Sequence, residues 1–424
     1  MAAFTLIWAG QMLSLLGSGM TWFGLTLWAW NASGEATPLA LVSLFSYAPA
    51  LLLSPIAGVF VDRWQRKLVL ALSDSGCVVG TMVVWILYSS GHLELWHVYV
   101  VALAGSGFTA FEYPAYKAAV TMMLPPEQYA RAEGMMGLAE SAATILAPLA
   151  AAALFGVIGL RGIMLIDIVT YLIALSTLLV VYIPQPSPTP TASPGWRGIV
   201  EDMWLGFRYL WQQPALRMLN VIFCLGNLCE GLGVALITPM ILARTGNNEV
   251  ILGSVQSAGA LGGVIGAAVL SAWGGPQRRA QGMVLSWAAA FGLGLMLIGA
   301  GGQTWWWAVG NFCFYALAAL VNGLDTAFWQ VKVAPEIQGR VFASRLFIIQ
   351  LPYVLMIGLA GPLADWVCEP AMIRAGFDPG SGMALLIMTA SLSGMVITLV
   401  SYARHWARQA DELIPDQTQP SASD

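Results

Sequence analysis

Twelve long apolar stretches, parted by short polar breaks, run from residue 4 to residue 403. They lie near 4–30, 38–61, 68–90, 95–120, 131–157, 162–183, 215–243, 250–274, 280–301, 304–330, 342–366 and 382–403. A helix needs roughly 20 apolar residues to cross about 30 Å of hydrocarbon, and each stretch is long enough. A water-soluble domain does not reach 58% hydrophobic residues with a mean hydropathy of +0.73. Barrel strands would alternate in polarity over about 10 residues, whereas "PLALVSLFSYAPALLLSPIAGVFV" at 38–61 does not alternate. The pattern predicts an all-α integral membrane protein with twelve transmembrane helices. The first stretch lacks the charged start and small-residue cleavage site of a signal peptide and reads as a retained helix.

Threading the loops alternately puts 14 of the 18 Lys and Arg residues on one side, among them Arg131, Arg208, Arg217, Arg278, Arg279, Arg340 and Arg345. Only Arg161, Arg244 and Arg374 fall on the other side, and Lys117 lies inside a span. Basic loops stay cytoplasmic. The expected location is therefore the inner (plasma) membrane, multi-pass, with both termini cytoplasmic.

Between spans six and seven, "PQPSPTPTASPG" at 184–195 is too rich in proline for a helix. In "WRGIVEDMWLGFRYLW" at 196–211, Val200, Trp204, Phe207 and Trp211 recur at helical spacing opposite Glu201, Asp202 and Arg208. This is an amphipathic helix, either interfacial or a soluble linker. The expected organisation is an N-terminal six-helix bundle (1–183), a cytoplasmic linker (184–214), a C-terminal six-helix bundle (215–404) and a cytoplasmic tail (405–424). The halves echo each other: "PEQYAR" at 126–131 returns as "PEIQGR" at 335–340, "QRK" at 65–67 as "QRR" at 277–279, and Ala147-Pro148 as Gly361-Pro362. Parallel six-span repeats are one transporter architecture.

Ionisable residues near the bilayer centre are costly, and are functional candidates for that reason. Span seven carries Glu230 with Asn220 and Asn227. Span ten carries Asn311, Asn322 and Asp325, span four Thr109, Glu112 and Tyr116, and span one Gln11, Ser14, Ser18 and Thr21. Glu112 and Glu230 rank first as proton-coupling sites. Asp325 follows, because a structural pair with an arginine explains it equally well. Glu140 and Asp167 are weaker candidates. Gln11, Ser18, Trp22, Thr109, Tyr116, Asn227, Asn311 and Asn322 are the expected substrate-cavity residues, and Trp22, Trp28, Trp30 and Trp329 offer stacking surfaces to a cationic substrate. Lys117 fits a structural pairing better than a site.

No phosphate-binding glycine loop, zinc-ligand constellation or nucleophile-base arrangement occurs. No enzyme activity, cofactor, metal or nucleic-acid partner is expected, and the five cysteines suggest packing alone.

The charged run "GVFVDRWQRK" between spans two and three, Gly58-x-x-x-Asp62-Arg63-x-x-Arg66-Lys67, resembles the signature loop of the major facilitator superfamily, with Gln65 where that pattern has glycine. The resemblance implies a loop that latches the cytoplasmic ends of the two halves; the alternative is that its basic residues only set the topology. Arg63, Arg66 and Lys67 suit carboxylates or lipid phosphates, and Asp74, seven residues beyond Lys67, is placed to be the loop's carboxylate partner. The resemblance also implies that spans one, four, seven and ten line a central cavity. In span five, Gly134, Ala143, Ala147, Pro148, Ala151 and Ala152 have the spacing of the antiporter motif of drug exporters, with alanine at most glycine positions; tight packing is the alternative. "AFEYPAYKAAVTMMLPPEQYARAEG" at 110–134 resembles the exporter branch that includes macrolide efflux proteins and the enterobactin exporter. The expectation is a monomeric, proton-coupled exporter of small amphipathic compounds, in contact with protons and membrane lipids. An uncoupled facilitator or importer, or a lipid-handling transporter, remains the alternative.

Overall fold

The computed structural model describes residues 1–125, 128–183, 196–334 and 337–403. The proline-rich 184–195 and the tail beyond 403 lie outside the described residues, as do the Pro-Glu pairs of the two echoing loops. All the regular structure described is helical. The chain divides into two compact units, residues 1–193 with 245–257, and 194–244 with 258–424.

Ten helices among the described residues are long and apolar enough to cross a membrane. Two further passages bring the number to the expected twelve. Helix α4 (Leu95–Met123) has the length but carries Glu112, Pro114 and Lys117, so it falls short in apolarity. Helix α5 (Tyr129–Val180) has 52 residues, about 78 Å at 1.5 Å per residue, far more than one crossing needs. It folds back at Gly159, whose φ of 63° and ψ of −178° belong to a region that essentially only glycine enters.

Helix α1 (Ala2–Ser33) records the reversal, because both legs of α5 lie along it. Going up α1, the Trp8 indole donates to the Met135 carbonyl and Gly19 faces Ala147, so the first leg runs the same way. Gly10, Gly17 and Gly24 face Thr177, Asp167 and Leu160, so the second leg runs back. The three glycines are seven residues apart, on one face, and any Cβ there would collide with that leg. Helices α2 (Ala36–Arg63) and α3 (Arg66–Ser89) pack on α4 to complete the unit.

In the second unit, α6 (Trp196–Gln212) is amphipathic, as its sequence predicts. Gly206 and Leu210 are buried, Gly206 against α13 (Gln338–Leu363), while Trp204 and Trp211 remain exposed and stack on either side of Phe207. Helices α7 (Pro214–Ala235) and α8 (Ile237–Thr245) form one passage. Helix α9 (Glu249–Trp273), whose residues up to Ser257 belong to the first unit, sets Gly262 and Gly266 against the backbone of α12 (Thr304–Lys332). Helices α10 (Arg279–Ala289) and α11 (Met296–Ala300) are joined by a π-helical stretch, Ala290–Leu295. A second π-helical stretch, Ala364–Cys368, continues α13 into α14 (Glu369–Arg374), and α15 (Ser381–Ala403) closes the unit against α7 and α10.

Candidate functional site

The first unit contains an open cavity of about 930 Å³ walled by α1–α5, within the size range of sites for drug-sized ligands. Of the residues expected to line a cavity, Gln11, Ser18, Trp22, Thr109 and Glu112 do so together. Tyr116 lines an adjoining pocket of about 220 Å³, and Gln11, Thr109 and Glu112 belong to both walls. No Lys, Arg or His lines either space among the described residues.

Asp74 and Asp167 extend this arrangement. Gln11 Nε2 donates to Asp74 Oδ2 at 3.1 Å, and Asp74 is buried. Asp74 thus has a partner inside the helix bundle, while the side chains of Asp62 and Arg63 in the charged loop lie outside the described residues. Two turns further along, Asp167 accepts from Ser18 Oγ at 3.0 Å and Thr81 Oγ1 at 3.2 Å. Gln11 and Ser18 on α1, and Asp74 and Thr81 on α3, are each seven residues apart, so the two polar levels are about 10 Å apart along the helices. Asp167 was ranked low from sequence. Its clue was a carboxylate in mid-span with no basic residue within five positions, Arg161 lying six residues before it.

The gating-loop residues occupy the junction of α2 and α3. Gly58, Asp62 and Arg63 are in the last turns of α2; the side chains of Asp62 and Arg63 lie outside the described residues. Arg66 Nη1 donates to the Ala118 carbonyl at 2.6 Å, and Lys67 Nζ to those of Leu179 and Val181 at 2.7 and 2.8 Å. Both cations therefore engage backbone carbonyls near the ends of α4 and α5 in their own unit, where the expectation was carboxylates or lipid phosphates. Helix C-termini expose such acceptors and favour positive charge.

The antiporter-like residues form a packed face on the first leg of α5. Ala143, Ala147, Ala151 and Ala152 are buried, and Gly253 fits against Ala152 and the Pro148 carbonyl. Proline disturbs the carbonyls one turn before it, and Ser257 Oγ donates to the Ile145 carbonyl at 2.7 Å. Gly134 stands in open space and is not part of that contact.

In the second unit the predicted polar residues separate. Asn227 Nδ2 donates to the Ile349 carbonyl of α13 at 2.9 Å, one turn before Pro352. Glu230 stands instead beside the Trp287 indole of α10. Asn311 is buried against Gly259 of α9, and Asn322 is exposed. Asp325 is gripped by Arg345 and by the Trp329 indole. In the first unit, the Trp30 indole donates to Asn247 Oδ1. Lys117 pairs with Glu133 at 3.5 Å and lies over the Tyr113 ring. The face expected on span seven thus divides between α13 and α10.

The profile of the Major Facilitator Superfamily matches residues 7–357. Macrolide efflux protein A of Streptococcus pyogenes is 28% identical over 371 residues, which are 85% of this chain and 89% of that protein. The protein of the same name from Enterococcus faecalis is 29% identical over 335 residues, 77% of this chain and 100% of its own length. Among solved structures, a variant of the nucleoside transporter NupG aligns with a TM-score of 0.72 at 12% identity, over 95% of this chain and 99% of that one. A bacterial homologue of the human lysosomal transporter Spinster aligns with a TM-score of 0.64 at 15% identity, over 97% and 98%. These structural likenesses show the fold, and the profile match, which covers most of the sequence, shows the family. The chain is a multi-pass membrane transporter and belongs to the Major Facilitator Superfamily.

Proposed function

We propose that the protein is a proton-coupled exporter of small amphipathic compounds in the inner (plasma) membrane, with both termini cytoplasmic, working as a monomer by alternating access. The observation that carries this reading is the position of Glu112. It belongs to the walls of both the large cavity and the adjoining pocket, and neither wall includes a basic side chain among the described residues. An isolated carboxylate charge in an apolar wall is expensive. A proton meets that cost in one state of the cycle, and substrate or water meets it in the other. Efflux as the direction draws on the similarity to macrolide efflux protein A.

Glu112 leads the assignment of the proton carrier and Glu230 follows. Asp325 is assigned a structural role, because its carboxylate is already filled by Arg345 and Trp329.

The test uses liposomes holding the full chain, an outward proton gradient and a lumenal pH dye, with erythromycin as the first compound. Wild type discharges the gradient on addition of the compound, and Glu112→Gln abolishes this while remaining folded. If labelled compounds or lipids equilibrate across the bilayer without moving protons, coupling is wrong and the facilitator or lipid-handling reading takes its place.

A further inference from the structure

The two polar levels of the cavity differ in how their carboxylates are held. Among the described residues no hydroxyl donates to Glu112, whereas Asp167 accepts from Ser18 on one oxygen and Thr81 on the other. Hydroxyl donors offset the cost of a charge in an apolar surrounding. A serine or threonine that donates its hydrogen to a carboxylate turns its remaining lone pairs elsewhere. Ser18 and Thr81 line the cavity, so they present polarised acceptors to it with the negative charge of Asp167 behind them.

A third hydroxyl belongs to the same level. Thr21 also lines the cavity, is 3% exposed, and lies beside Asp167. Trp22, one residue on, adds an indole to the same wall.

Resting on the exporter reading of this cavity, we propose that Ser18, Thr21 and Thr81, backed by Asp167, form a subsite for the ammonium group of a cationic amphipathic substrate, separate from Glu112. The hydroxyl oxygens accept the N–H bonds of the ammonium, Asp167 supplies the counter-charge, and the Trp22 face covers an alkyl substituent or the cation itself. The apolar body of the substrate fills the rest of the cavity. The subsite makes charge a criterion of selection, and the proton site remains free to exchange with it at a distance.

The test is equilibrium binding to the full chain in lipid nanodiscs, with empty nanodiscs as background and no gradient. The probes are dansylcadaverine, a primary ammonium, and N-pentyl dansylamide, its neutral counterpart of similar length. Wild type is expected to bind the ammonium at least tenfold more tightly than the neutral probe. Asp167→Asn should remove that preference by weakening the ammonium alone. If Asp167→Asn does not fold, Thr21→Val and Ser18→Ala decide, each expected to weaken the ammonium threefold or more with the neutral probe unchanged. The proposal is overturned if wild type shows no preference, if the variants weaken both probes alike, or if they change neither. Because binding needs no gradient, loss of proton exchange with the preference intact sinks the coupling reading alone, and the converse sinks only the subsite.

Discussion

Arg345 holds Asp325 through two hydrogen bonds of 2.7 Å, one to each carboxylate oxygen, and both residues are buried. The Trp329 indole adds a third bond at 3.0 Å and lies 4.5 Å from the guanidinium, with the Phe223 ring at 5.0 Å. The pair is an enclosed unit joining α12 to α13. Removing one partner of a buried ion pair leaves an uncompensated charge and costs about 3–5 kcal/mol, whereas replacing both by apolar residues is often neutral.

Asp325→Ala and Arg345→Ala are therefore each expected to lower folded yield and thermal stability sharply, and Asp325→Leu combined with Arg345→Met to recover most of the loss. Thermal unfolding of the purified variants in detergent is the measurement. A double variant no more stable than the worse single one would contradict a purely structural pair.

Gly159 predicts a different kind of sensitivity. Its backbone is in a region where a side chain costs about 1–3 kcal/mol, and the return of α5 along α1 depends on it. Gly159→Ala should lose stability by that amount. Gly156, helical and in open space, is the control: Gly156→Ala should be neutral or stabilising by up to about 1 kcal/mol. Equal losses at the two sites would show that the reversal does not depend on the glycine conformation.

The helices and their number were legible because the bilayer imposes a simple rule on length and apolarity, and the polar break near 158–161 marked the reversal inside what is otherwise one long apolar run. Gln11, Ser18, Trp22, Thr109 and Glu112 were legible as one wall for a related reason: hydroxyls, amides and acids have no use for lipid, so they mark an inward face. Their individual partners were not legible. Asn227 and Glu230 are three residues apart in α7, yet one serves a carbonyl before Pro352 and the other meets Trp287. Choosing between such neighbours depends on crossing angles of helices distant in sequence. Asp167 was underrated for the same reason, because Ser18 and Thr81 reach it from two other helices.

Pro352 allows this to be measured. It has no N–H for the Ile348 carbonyl, and two side chains of α7 reach the affected turn: Cys224 Sγ donates to Ile348 at 3.4 Å and Asn227 to Ile349 at 2.9 Å. Asn227→Leu should cost about 1–3 kcal/mol by leaving a buried carbonyl unsatisfied. In a Pro352→Ala background the helix can satisfy its own carbonyls, so the same substitution should cost about 1 kcal/mol less. A double-mutant cycle on thermal stability reads this coupling; strict additivity would disconnect Asn227 from the proline.

Lys67 separates a structural duty from a gating one. Its ammonium bonds the Leu179 and Val181 carbonyls at the end of α5, where acceptors lack helical partners and a cation is favoured. Lys67→Met removes two charge-assisted bonds at once and should cost about 1–3 kcal/mol of stability. Because these bonds lie within one unit and join no moving halves, turnover per folded molecule should stay within twofold of wild type. Lys67→Arg keeps the charge and should recover part of the stability. Counterflow of a labelled substrate, normalised to folded protein, is the deciding measurement. Normal stability with slowed counterflow would move Lys67 from helix cap to latch, and would assign it the duty that its place in the charged loop first suggested.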